Sequence, residues 1–337
     1  MPLLSSIANL VQKGYLDLTT SLIPRSWTQE ATSDKVYLGA VYAPLLNGSY
    51  FAFGGSLTGG DSNTYRYSLT GEPGSWSTGT LPSSLEAYGA AVTDGTKIIV
   101  FPSGAPTSAG FPYTTNGTSW STASHPFSGT SYQVYDAIYD GTRFLAVTST
   151  LGNEGLIHST SGTSAWSGID VGSGGYAIAF DGSSRYIVLS AASTATHRTT
   201  TSTPTVAGNW SNITLPSSGT WASVAYGNGI WVAFLAGGGT TYATSTNGTT
   251  WTARTRPSAF TLDSSDPFGK VFFAFDKFWY FWAGFTYYSL DGVEWKVFYT
   301  GNTELDVISG WAEGPDRLLG FGYTSRSAGS DKYLLGK

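Results

Sequence analysis

STNGTTW, residues 245–251, places a hydroxyl, an amide and a glycine just before one large aromatic, and nearly the same phrase returns as TTNGTSW at 114–120 and SLDGVEW at 289–295. Each residue type suits a tight polar turn. Asn or Asp bonds the backbone of its own turn and tolerates left-handed dihedrals, and Gly reaches positive φ freely. A polar turn that always closes on tryptophan implies a structural unit that has been copied.

Two landmarks keep the beat of that unit. Tryptophans stand at 27, 76, 120, 166, 210, 251 and 295, spaced 41–49 residues apart. A short polar turn followed by an apolar run also occurs seven times. It reads NGSYFAF (47–53), DGTKIIVF (94–101), DGTRFLAV (140–147), DGSSRYIVL (181–189) and NGIWVAF (228–234). It drifts in DKFWYFW (276–282) and GPDRLLGF (314–321). Asp-Gly and Asn-Gly between apolar runs are the strongest short-range hairpin signal. Each unit therefore parses into four short strands, with a small-residue inner run such as YAIAFDG (176–182) first and the tryptophan opening the fourth. Repeats of this length with four strands each are propeller blades, and the spacing of three and four that helical repeats require is absent.

The expected fold is all-β: a seven-bladed β-propeller of four-stranded antiparallel blades over residues 25–337, preceded by a short N-terminal arm, 1–24. The chain enters on a fourth strand at Trp27 and ends on first, second and third strands near 305–312, 317–324 and 331–336. RSWTQEA, residues 25–31, is thus expected to complete the last blade and close the ring, removing two open sheet edges.

Composition agrees. Aromatics are 15% of the 337 residues and charged residues only 12%, about half the usual ~25%, so the chain is rich enough in core material to fold. Net charge is −5 with the 17 basic residues scattered, which excludes the basic stripe of a nucleic-acid binder. No run of 18 apolar residues suggests membrane insertion, and MPLLSSIANLVQKG lacks a basic segment ahead of its apolar stretch, so no secretory signal is expected. With no cysteine and with His125, His158 and His197 far apart, neither thiol chemistry nor a metal site is expected, and no cofactor is implied.

The recurring phrase resembles the Asp-box turn of sialidase-type propellers, in which Ser and Asp bond the turn backbone between the third and fourth strands and Trp packs into the blade. Those roles fall on Thr114, Asn116, Gly117 and Trp120, on Ser245, Asn247, Gly248 and Trp251, and on Ser289, Asp291, Gly292 and Trp295. Ser159–Trp166 has one extra residue and Ser68–Trp76 has two, while TTTSTPTVAGNW ahead of Trp210 has lost the motif. Runs such as VAYGNGIWVAF and YATSTNGTTW are also similar to the propeller repeats of bacteriophage tail-fibre and other virion proteins and of some bacterial surface proteins.

The sialidase likeness raises an enzymatic alternative, a carbohydrate-active glycoside hydrolase. Its arginine cluster is not apparent: Arg143, Arg185 and Arg317 share one repeat position with Lys97 and Lys277, which reads as a solvated turn position. Asp136 is the one carboxylate inside an axis-lining strand, where other repeats carry Ala90, Ala177 and Val224. It reads as a hydrogen-bonded residue of a wet channel, and no Gly-x-Ser-x-Gly elbow accompanies the histidines, which are expected in loops. No catalytic residue is expected.

Binding candidates are aromatic. Trp282 stands where its counterparts are Gly54, Pro102, Thr148, Ser190, Leu235 and Gly322, mostly small, so it is the leading contact for a glycan or partner protein. Trp279 is a second candidate although its counterparts Phe51, Ile99 and Val232 read as core, and Asp136 is a third. In the arm, Leu3, Leu4, Ile7, Leu10 and Val11 share one helical face. The expectation is a non-enzymatic virion structural protein of tail or tail-fibre type, localised to the virion in several copies. It would attach to other virion proteins through the arm and offer its loops to a host glycan or a virion partner. A bacterial surface adhesin is a further alternative.

Overall fold

The Asp-Gly turns close as their chemistry dictates. In the computed structural model Asp94 Oδ1 accepts the amides of Thr96 at 2.8 Å and Lys97 at 3.0 Å, and Asp140 Oδ1 accepts those of Thr142 and Arg143, both at 2.8 Å. The structure describes residues 27–336 apart from 32–35, 47, 56–61, 73, 86–87, 103–109, 127–132, 149–154, 165, 173, 191–196, 237–239, 258–268, 283–284, 301–306, 316 and 324–330. Only the backbone is described at 27–31, 36–38, 331–336 and several strand ends, Trp282 among them.

Among the described residues, twenty-eight strands form seven four-stranded antiparallel sheets. Strand β1 (Trp27–Ala31) comes first in the chain. Blade 1 is β2 (Val36–Ala43), β3 (Ser49–Gly55), β4 (Ser62–Ser68) and β5 (Ser77–Leu85). Blade 2 is β6 (Tyr88–Thr93), β7 (Ile98–Pro102), β8 (Phe111–Thr114) and β9 (Ser121–Ala123). Blade 3 is β10 (Val134–Tyr139), β11 (Phe144–Thr148), β12 (Leu156–Ser159) and β13 (Ser167–Ile169). Blade 4 is β14 (Gly175–Phe180), β15 (Tyr186–Ser190), β16 (His197–Thr200) and β17 (Ser211–Ile213). Blade 5 is β18 (Trp221–Gly227), β19 (Ile230–Leu235), β20 (Thr241–Ser245) and β21 (Thr252–Thr255). Blade 6 is β22 (Lys270–Ala274), β23 (Lys277–Trp282), β24 (Phe285–Ser289) and β25 (Trp295–Thr300). Blade 7 joins both ends of the chain: β26 (Val307–Glu313), β27 (Leu318–Tyr323) and β28 (Asp331–Gly336) are completed by β1, with Trp27 opposite Gly336 and Ala31 opposite Lys332. The inner strands touch in cyclic order and return from β26 to β2, as expected of a seven-bladed propeller.

The recurring phrase folds as a clasp. Asn247 Oδ1 accepts the amides of Thr249 at 2.9 Å and Thr250 at 2.8 Å, Ser245 Oγ accepts that of Gly248 at 2.8 Å, and Gly248 sits at φ 69°. Asn116 does the same for Thr118 and Ser119, and Asp291 for Val293 and Glu294. In blade 3 Ser161 takes the amide-accepting place, bonding Thr163 and Ser164. Blade 4 keeps one leg of the clasp: Thr200 Oγ1 accepts the amide of Ser202 at 3.1 Å, while a short 3-10 turn, Ala207–Asn209, replaces the rest.

What the clasp holds differs from the expectation. Each clasp tryptophan whose side chain is described packs in the seam between its own blade and the preceding one. Trp120 of blade 2 meets Phe53 of blade 1 edge-on (5.8 Å, 82°) and Tyr65 at 5.1 Å. Trp166 of blade 3 stands at 88° to Phe101 of blade 2, Trp295 of blade 6 at 83° to Phe234 of blade 5, and Trp76 of blade 1 at 87° to Phe321 of blade 7. Such pairs add about 0.5–1.5 kcal/mol beyond the area they bury. The clasp glycine serves the same seam: a Cβ on Gly292 would lie 2.5 Å from Val232 of blade 5, and one on Gly71 2.8 Å from Leu319 of blade 7. Arg317 of blade 7 then donates to the Thr70 carbonyl at 2.5 Å and to Glu72 at 2.7 Å, stitching the closing seam.

Candidate functional site

The seven inner strands surround a central channel, and strand register defines one equivalent position on each. Gly39, Ala90, Asp136, Ala177, Ser223, Lys270 and Gly310 pair respectively with Phe53, Phe101, Val147, Leu189, Phe234, Phe281 and Phe321 of the second strands. In six blades a β-bulge immediately precedes this position; in blade 6 the strand begins at it. Register corrects one sequence alignment: the blade 5 hairpin turns on two residues where blade 3 turns on four, so the counterpart of Asp136 in blade 5 is Ser223, not Val224. The ring is otherwise glycine and alanine because seven strands crowd one axis. A Cβ on Gly39 would already stand 3.2–3.5 Å from Ala90 and Ala91 of the next blade.

Asp136 and Ser223 reach the same place as that missing Cβ. Asp136 Oδ2 accepts the amide of Ile178 in blade 4 at 3.1 Å, and its Oδ1 accepts that of Ala137 at 3.1 Å. Ser223 Oγ accepts the amide of Val271 in blade 6 at 2.8 Å and donates to the same residue's carbonyl at 3.2 Å. Ile178 and Val271 each follow the ring residue of their own blade, so the two clips are equivalent. Asp136 keeps some surface toward the channel, yet protein surrounds it. That burial raises its carboxyl above the usual range, against the charge of Lys270 and the amides of Ile178 and Ala137.

Glu313 faces the same cavity three residues beyond Gly310. Three residues of strand rise set its backbone about 10 Å along the strand from the ring level. Its Oε1 accepts the amide of Phe275 at 3.1 Å; the residue keeps an exposed surface, and partial desolvation by the surrounding protein, then Asp276, raises its carboxyl. Phe275 and Asp276 both have positive φ, 50° and 57°, so the drifted hairpin of blade 6 keeps the two-residue turn without glycine.

The arginines are dispersed. Arg143 pairs with Asp140 at 3.1 Å, Arg185 donates to Thr199 at 3.0 Å, and Arg317 reaches Glu72. Two histidines expected in loops lie in strands, His158 in β12 and His197 in β16. His197 is fully buried, accepts the Ser190 amide through Nδ1 at 3.1 Å, and has its pKa lowered to about 4, by burial first and Arg198 second. Among the described residues no group of three His, Asp or Glu is placed to hold a metal, and no helix is long and apolar enough to cross a membrane.

Trp279 offers no binding surface. It is fully buried, its indole N–H donates to the Ala274 carbonyl at 3.0 Å, and Phe298 stands edge-on to it at 5.5 Å. The side chain of Trp282 and the arm residues Leu3, Leu4, Ile7, Leu10 and Val11 lie outside the described residues. Two residues escaped sequence reading. Ser223 is one serine among many until register pairs it with Val271, and Lys270 becomes a ring residue only because its strand starts there. Trp311, stacked on Phe272 at 4.0 Å and 16°, completes the channel wall beside Lys270.

The chain matches no protein-family model and no curated protein. Solved propeller structures resemble it throughout. YCF48 bound to D1 peptide superposes with a TM-score of 0.59 at 14% identity, over 93% of this chain and 97% of that one. U3-55K gives 0.60 at 8% identity, over 90% and 96%. PorZ, an essential bacterial surface component of the type-IX secretion system of Porphyromonas gingivalis, gives 0.57 at 10% identity, over 90% of this chain and 37% of its own. At such identities the likeness carries the architecture: this chain has the β-propeller fold.

Proposed function

We propose that the chain is a non-enzymatic binding propeller, serving as a structural component of a bacteriophage virion of tail or tail-fibre type. The observation that carries the non-enzymatic part is the commitment of Asp136. Both its oxygens accept backbone amides across or along the inner ring, the place Ser223 fills two blades on. A residue whose role a serine repeats acts in closing the ring. YCF48 is bound to a peptide and PorZ is a component of a secretion machine, so holding another polypeptide is the role we carry over from them. The virion assignment rests on the repeat style and on the apolar arm, residues 1–24, which would attach the propeller to its neighbours while the loops meet a host glycan or another virion protein.

Purified protein assayed against sialosides and bacterial polysaccharides should show no turnover. Turnover abolished by Asp136→Asn would overturn the non-enzymatic reading. Changing Ile7 and Leu10 to Asp should leave a folded propeller that fails to enter particles, and normal incorporation of that variant would remove the anchor role.

A further inference from the structure

We propose that the central channel holds a singly charged carboxylate at Lys270. Lys270 occupies a ring position where four of the seven blades carry only glycine or alanine, so packing does not call for a long cationic side chain there. It is half-buried and lines both adjoining cavities of the channel, about 410 Å³ and 230 Å³. That is enough space for a small ligand or an inserted side chain. Among the described residues its ammonium has no hydrogen-bond partner and no carboxylate within 4.0 Å. Three donors on a strongly hydrated point charge therefore open into the channel.

The surroundings select the ligand. Asp136 stands at the same level three blades away, already holding two amides, and its charge is felt at Lys270. One cation opposed by one carboxylate accommodates a monoanion, whereas a phosphate dianion would turn its second charge toward Asp136. Trp311 lines both cavities beside Lys270, its ring backed by Phe272, and provides an apolar wall for the carbon chain behind a carboxylate. A free small acid and the acidic side chain of a polypeptide share this chemistry.

Calorimetric titration of the full chain with acetate, with acetyl-glutamyl-amide and with inorganic phosphate tests the site. Acetate and the glutamyl peptide are expected to bind in the millimolar range, with phosphate at least tenfold weaker. Lys270→Met should reduce carboxylate binding at least tenfold while the circular dichroism spectrum is unchanged, and Lys270→Arg should retain it. Asp136→Asn should tighten carboxylate binding several-fold and reduce the discrimination against phosphate. Binding of both carboxylates supports a site open to small acids; binding of the peptide alone supports a side chain presented by a polypeptide. No binding of either, or binding that survives Lys270→Met, overturns the proposal. Because neither the arm nor turnover enters this measurement, its failure would leave the virion and non-enzymatic readings standing.

Discussion

Replacing Ser223 by Ala should loosen the seam between blades 5 and 6 at one identifiable amide. The hydroxyl accepts the Val271 N–H at 2.8 Å and donates to the Val271 carbonyl at 3.2 Å, and both residues are 4% exposed. Each bond contributes about 1 kcal/mol net, and a buried N–H left without an acceptor adds to the loss. The change should therefore cost about 2–3 kcal/mol. Native-state amide exchange gives the local readout: Val271 should exchange roughly 30- to 150-fold faster, at about 1.4 kcal/mol per factor of ten. The Ile178 amide, held by Asp136 in the equivalent clip at 3.1 Å, is the internal reference and should keep its rate. Unchanged exchange at Val271 would refute the clip. Equal acceleration at Val271 and Ile178 would show a global loss of stability and refute the local reasoning.

Three further outcomes follow from the same geometry. Asn247→Ala removes the acceptor for two clasp amides and should lower stability by about 2 kcal/mol, whereas Asn247→Asp keeps the acceptor and should be near neutral; equal urea midpoints for the two variants would count against the clasp. His197 is neutral in the fold with its pKa lowered to about 4, against about 6.5 when unfolded. The unfolded chain thus binds the proton first, and stability is fully present above pH ~6.5 and falls by up to ~3 kcal/mol toward pH 4. His197→Asn should flatten that slope in urea titrations, and an undiminished slope would assign it to other groups. Deleting residues 1–31 removes β1 and leaves β28 as an open edge, so cooperative thermal unfolding should be lost; a truncated chain melting like the full one would mean that the strand does not close the ring.

Much of this architecture is written locally. The Asx turns, the hairpins and the spacing of Trp27 to Trp295 lie within short contiguous stretches, because Asn116, Asn247 and Asp291 bond amides only two or three residues away. Counting them was enough to expect seven blades and a ring closed by the first strand. Tertiary structure alone decided what those units touch. The sequence marks Trp120 as the end of a turn, but only packing turns it toward Phe53 of the preceding blade. Spacing aligned Asp136 with Val224; the blade 5 hairpin turns on Asn228 and Gly229 alone where blade 3 turns on residues 140–143, so pairing extends one residue further and puts Ser223 there instead. Trp279 is as aromatic as any surface hot spot, and only the adjoining seam buries it. Lys270 and Asp136 are 134 positions apart in the chain and share one channel because ring closure, a property of the whole chain, sets blades 3 and 6 across a common axis.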